Sequence, residues 1–138
     1  MNAVFADAGY WIALFNPRDR LHDVATAVSQ AIQNRSVVTS QLVLMEFLNY
    51  FASLGQIFRQ RAVEVVRSLQ QYPNIEIVPL SDEQFEAALA MYAQRQDKAW
   101  GLIDCASFLI MQQRRIIDAL AFDEHFRQAG FNPLLRAN

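Results

Sequence analysis

Four carboxylates stand where this sequence otherwise keeps apolar residues. Asp7 closes the run Val4-Phe5-Ala6-Asp7, and Asp123 closes Leu120-Ala121-Phe122-Asp123. Glu46 interrupts Val43-Leu44-Met45-Glu46-Phe47-Leu48, and Asp104 lies within Leu102-Ile103-Asp104-Cys105-Ala106. Each has a local structural reading: Asp7 and Asp104 as helix caps, Glu46 as half of an ion pair with an Arg, Asp123 as a turn former and cap. As a set they point elsewhere. An ionised carboxylate in apolar surroundings is strongly destabilising unless a cation compensates it, and few Arg or Lys stand near these four in sequence. Acids converging on one cleft find that compensation in a hard divalent cation, which takes oxygen ligands. Mg²⁺ or Mn²⁺ is the implied metal, and phosphoryl chemistry its usual purpose.

The elements that must position these acids alternate along the chain. Residues 3–6, 37–39, 75–78 and 117–122 read as strands, with Leu134-Leu135 as a short edge. Several are continuous apolar runs, as strands buried on both faces are. Ser81-Asp82-Glu83-Gln84 is a capping box opening an amphipathic stretch through Phe85, Leu89 and Tyr92. Ser40 is placed to cap an apolar helix running to about Leu54, with Gly55 as its stop. Further helices run from about Leu102 to Arg115 and from Glu124 to Gly130. The alternation predicts an α/β protein, a three-layer wound fold whose central, mostly parallel sheet is flanked by helices. Ligands bind such folds at the carboxyl ends of the strands, where Asp7 and Asp123 fall.

Composition narrows the function classes. The 138 residues are 53% apolar and include sixteen Phe, Tyr or Trp, enough for a core and too many for a disordered chain. They predict a single domain over residues 1–138. One cysteine, Cys105, excludes a disulfide framework and a Cys-based zinc site. No secretory leader or spanning segment is expected, which points to a soluble cytoplasmic protein with no membrane partner. Twelve basic against fourteen acidic residues give a net charge of −2, a mild argument against nucleic acid. Setting the four unusual acids aside as metal ligands leaves ten against twelve, so a metal-loaded cleft with a basic rim can hold a polyanion. Arg18, Arg20, Arg59 and Arg61 are candidates for that rim, against the plainer reading of solvated surface charge.

With these residues in view the chain resembles the PIN-domain family, and within it the VapC-type toxins of bacterial toxin–antitoxin pairs. The resemblance runs through Phe5-Ala6-Asp7-Ala8-Gly9-Tyr10-Trp11, Leu44-Met45-Glu46-Phe47-Leu48, residues 97–108 around Gly101-Leu102-Ile103-Asp104, and Ala119-Leu120-Ala121-Phe122-Asp123-Glu124-His125-Phe126. It implies a Mg²⁺- or Mn²⁺-dependent ribonuclease. Asp7 and Asp104 would be the principal metal ligands, Glu46 would complete the site directly or through water, and Asp123 would be the more variable fourth acid. The metal would activate water for attack on an RNA phosphodiester, with no nucleophilic side chain. A cognate antitoxin and a second copy of the chain, as a homodimer, are the implied protein partners.

The chain departs from the family where Ser or Thr often stands near the third and fourth acids; here Gly101, Ile103 and Ala121 occupy those places. Ser107 is positioned to supply one hydroxyl from the next helical turn. His22 and His125 form no spaced metal motif and are assigned no catalytic role, and Asp97 is read as an RNA-positioning or capping residue. Cys105 reads as core, because no His–Asp pair accompanies it. Phe47, Tyr50, Phe51, Phe58 and Trp100 read mostly as core at helical spacing. A receiver domain, an Asp-x-Asp phosphatase and a Gly-rich nucleotide binder each lack a required residue. Two readings stand beside the toxin: a free-standing RNA-processing nuclease, and a catalytically silent binding module.

Overall fold

A computed structural model of the chain describes residues 2–136. Its core is a five-stranded sheet of β1 (Val4–Ala6), β2 (Val37–Ser40), β3 (Ile75–Val78), β4 (Asp118–Leu120) and β5 (Asn132–Pro133). The spatial order is β3-β2-β1-β4-β5, and every pairing is parallel. Helices α1 (Ala8–Phe15) and α2 (His22–Ala31) join β1 to β2, and α3 (Gln41–Phe51) and α4 (Gln56–Gln71) join β2 to β3. From β3 the chain passes through α5 (Asp82–Gln94) and α6 (Leu102–Gln113) to β4, and through α7 (Glu124–Gln128) to β5.

Handedness assigns the layers. The chain steps one way from β1 to β3 and the other way from β3 to β5, and right-handed crossovers then put α1–α4 on one face and α5–α7 on the other. The helix packing agrees: α1 meets α2 and α3, α3 meets α4, α5 meets α6, and α6 meets α7. Aromatic rings fill each side. Tyr10, Trp11, Phe15, Phe47, Phe51 and Phe58 form a chain of stacked and edge-on contacts on the first face. On the other, Phe108 sits among Trp100, Phe126 and Phe131. Of the aromatics expected in the core, Phe47, Phe51 and Trp100 are buried, whereas Tyr50 and Phe58 are exposed.

The wound α/β prediction is correct, and the strands of β1 and β2 are buried along their whole length. The edge strand is displaced from its expected place. It forms at Asn132–Pro133, where Asn132 and Leu134 donate to Ile117 and Ala119, and a proline with no N–H is tolerated because the strand is on the edge. Helix α3 stops at Phe51, three residues before its expected end. Gly55 then adopts a φ of +102°, open to glycine, and its carbonyl accepts the first bond of α4. Both Ser caps are in place: Ser40 Oγ accepts from Val43 N–H and Ser81 Oγ from Gln84 N–H, each at 3.1 Å.

Candidate metal centre

The direction reversal in the sheet falls between β1 and β4, and the two acids expected at strand ends follow those two strands. Asp7 follows β1 and takes the N-cap position of α1 without an N-cap side-chain bond, so its carboxylate is not committed to capping. Its backbone N–H donates to Leu120 O at 3.1 Å, which ties it to the end of β4. Asp123 N-caps α7, accepting from His125 N–H at 3.0 Å. A crevice at such a reversal is the ligand-binding position of wound parallel sheets.

Asp104 enters from the α5–α7 layer, in the first turn of α6. Its Oδ2 accepts from Gly101 N–H at 3.1 Å, half of a capping box, since glycine has no side chain to reciprocate. The same Oδ2 lies 3.0 Å from His125 Nδ1, which is 3.4 Å from Asp123 Oδ1. An ionised carboxylate can only accept, so the imidazole is the donor in this arrangement. Asp104, Asp123 and His125 each offer a donor atom within 4.8 Å of the others. His125 is therefore part of the cluster, although its spacing in sequence suggested no chemistry. The Asp123-x-His125 pair at a helix start was the available signal: the second helical residue points back over the cap that holds Asp123.

Asp7 and Glu46 stand outside that tight group but share its field. Desolvation pushes the Asp7 carboxyl up to about 7, the Ala8 N–H opposes the shift, and Glu46, Asp104 and Asp123 add to it. Glu46 is also pushed up, by desolvation first and then by Asp104 and Asp123. The residue itself is exposed on α3, not enclosed by apolar neighbours as its sequence context suggested. Among the described residues it has no salt-bridge partner, so the ion-pair reading does not hold. Asp7 and Glu46 thus feel Asp104 and Asp123 across the crevice, and the His125 imidazole stands beside the latter two. The donor set of carboxylate oxygens with one imidazole fits a divalent cation, Mn²⁺ accepting the nitrogen more readily than Mg²⁺.

The other flagged residues fall away from the chemistry. Ser107 is 1% exposed and its hydroxyl has no partner, so it cannot reach a phosphate. The orienting role that missing hydroxyls would have served at Asp104 is filled by Gly101 N–H and His125. His22 Nδ1 bonds Ala13 O at 2.7 Å and fixes α2 to the end of α1. Asp97 pairs with Arg95 and Lys98 on the surface. Cys105 is buried and its thiol is pushed up by desolvation. Arg59 is used locally, bonding Ala52 O in the α3–α4 turn, and Arg61 is exposed on α4. Of the four rim arginines expected from the sequence, Arg20 stands beside the acids, its guanidinium lying over the Phe122 ring.

A wound parallel sheet with acids at the β1–β4 reversal and on the facing helices is the architecture of a PIN domain. A PIN domain match spans residues 4–132, and the chain belongs to that family. It is similar to the 23S rRNA-specific endonuclease VapC20 of Mycobacterium tuberculosis, in both strain CDC 1551 / Oshkosh and strain H37Rv. Each is 27% identical over 128 residues, which cover 93% of this chain and 95% of the relative. The crystal structure of M. tuberculosis VapC20, described as a Sarcin-Ricin loop cleaving toxin, superimposes with a TM-score of 0.81 at 25% identity, covering 93% of this chain and 95% of that one. Among the described residues no helix is long and apolar enough to cross a membrane.

Proposed function

We propose that this chain is a divalent-metal-dependent endoribonuclease that acts as the toxin of a toxin–antitoxin pair. The observation that supports the reading is the cluster of Asp104, Asp123 and His125 with Asp7 and Glu46 in its field, in a PIN chain similar to an RNA endonuclease over nearly its full length. Asp104 and Asp123, with His125 beside them, would hold the cation against Asp7 at the floor of the crevice. A bound divalent cation supplies acidification of water and offsets negative charge on the phosphodiester.

The chain's own groups do the rest. Cys105 and Ser107 are buried, which leaves water as the attacking group. The raised carboxyl of Glu46, exposed across from the other acids, suits a group that takes a proton from that water. Gly101 N–H and His125 keep Asp104 in one orientation before substrate arrives. The toxin role also requires a protein partner. Met45, Tyr50, Leu54, Ile57 and Phe58, exposed along α3, α4 and the turn between them, support a surface for the antitoxin or for a second copy of the chain.

Total cellular RNA incubated with the purified chain tests this reading. Discrete fragments are expected with Mn²⁺ or Mg²⁺ and none with EDTA. Intact RNA in both metals, from protein freed of any co-purified partner, would contradict it.

A further inference from the structure

Two guanidinium groups converge on the ring of Phe122, the residue immediately before Asp123. Arg20 Cζ lies 4.7 Å and Arg136 Cζ 4.4 Å from the ring centroid. They arrive from distant parts of the chain. Arg136 follows β5, which is parallel to β4, so it emerges at the same carboxyl edge as Asp123. Arg20 lies in the loop before α2. That helix leads to Arg35, whose guanidinium bonds Asn2 O and Asp118 at the amino edge, so the Arg20 loop stands at the opposite edge, beside the acids.

Stacking on the ring does not explain both. A single cation over a phenyl face is stabilising, but two brought to one ring repel each other. Little nearby compensates them. Arg136 Nε is 3.6 Å from Glu124 Oε1, is buried, and makes no hydrogen bond. Glu124 is also paired with Arg127 at 3.2 Å. Arg20 has no carboxylate within salt-bridge range among the described residues. Glu124 thus serves two arginines and Arg20 has no carboxylate partner, leaving one carboxylate beside three guanidinium groups at the lip of the crevice. The guanidinium faces are spent on the ring, while Arg20 is exposed and Arg136 is buried at Nε alone, so the remaining N–H groups are suited to contact with phosphate oxygens.

We infer that Arg20 and Arg136, held over Phe122, form a seat for an RNA backbone phosphate next to the one that is cut. This inference rests on the ribonuclease reading of the four-acid site. It makes the pair positioning residues for substrate, while the acids carry the chemistry.

The test is binding of an end-labelled single-stranded RNA, followed by fluorescence anisotropy across a salt series. Asp104→Asn protein in Mn²⁺ serves as the cleavage-silent background. Adding Arg20→Ala is expected to weaken binding about tenfold and to flatten the log–log salt slope by about 0.7, the contribution of one single-strand phosphate contact. Arg20→Lys, which keeps the charge but loses the planar fork, restores the slope and only part of the affinity. Arg67→Ala, on an exposed residue bonded to Gln70, changes neither. With the acids intact, Arg20→Ala and Arg136→Ala raise KM for cleavage while kcat holds within about twofold. Arg20 is exposed, so its variant reports even where Arg136→Ala loosens the C-terminal segment. Unchanged affinity and slope in Arg20→Ala would overturn the seat even with wild-type cleavage intact. Arg20-dependent binding without any cleavage by wild type would uphold the seat and refute the nuclease instead.

Discussion

Asp7 carries the pH behaviour of the site. Its carboxyl is raised from 3.8 to about 7, chiefly by desolvation, so the folded chain keeps a proton that the unfolded chain has released over that window. The folded state binds more protons there, and its stability falls as pH rises from about 4 to about 7. Glu46 is shifted in the same direction. Asp7→Asn removes the larger of these losses. In EDTA its melting temperature is expected to exceed that of wild type at pH 8 and to approach it near pH 4. Mn²⁺ at pH 8 should raise wild type far more than the variant. Equal melting curves at pH 8 would show that Asp7 is not held against its own charge. His125→Ala tests the remaining member: loss of the 3.0 Å contact to Asp104 is expected to lower metal affinity or cleavage by about 10–100-fold, read by Mn²⁺ titration. All four acids were visible in sequence because a carboxylate inside or at the end of an apolar run is conspicuous. His125 was not, because its place depends on how the five-residue helix α7 turns back over its own cap.

At the scale of elements, short hydrogen-bond linkages hold the acids' supports in register. Thr39 is fully buried in β2 and its hydroxyl joins two partners, donating to Ala6 O at 2.9 Å and accepting from Trp11 Nε1 at 3.2 Å. It therefore locks β1 and α1, on either side of Asp7, to the neighbouring strand. Thr39→Val leaves both partners unsatisfied and is expected to destabilise by about 2–3 kcal/mol in chemical unfolding, with cleavage reduced in the fraction that remains folded. Ser107→Ala should do the opposite. Its hydroxyl is buried without a partner, so removal is expected to be neutral or stabilising by about 1 kcal/mol, with cleavage unchanged. A large loss of activity there would restore the hydroxyl role that its spacing after Asp104 suggested. The strands β1 to β4 and the Ser40 and Ser81 caps were legible because apolar runs and capping residues act locally. The break after Phe51 and the edge strand at Asn132–Pro133 were not, since one depends on how α4 packs back on α3 and the other on register with β4.

The whole molecule explains why the charge balance misleads. A net charge of −2 describes a domain with four of its fourteen acids placed at one sheet reversal, and with Arg20 and Arg136 at its lip sharing little carboxylate compensation. Wound topology brings the acids together from four separate elements: Asp7 after β1, Glu46 on α3, Asp104 on α6 and Asp123 before α7. Sequence order alone made the convergence an expectation; the β1–β4 adjacency supplies the physical reason. The account stands on those acids acting as one metal-binding site that hydrolyses RNA. The most direct measurement is the rate of RNA cleavage by Asp104→Asn protein at saturating Mn²⁺, with its fold verified by circular dichroism. The account predicts a loss of about a thousandfold or more relative to wild type, because Asp104 links α6 to the Asp123–His125 pair of α7 within the cluster. A rate near that of wild type would contradict it and place the chemistry elsewhere on the chain.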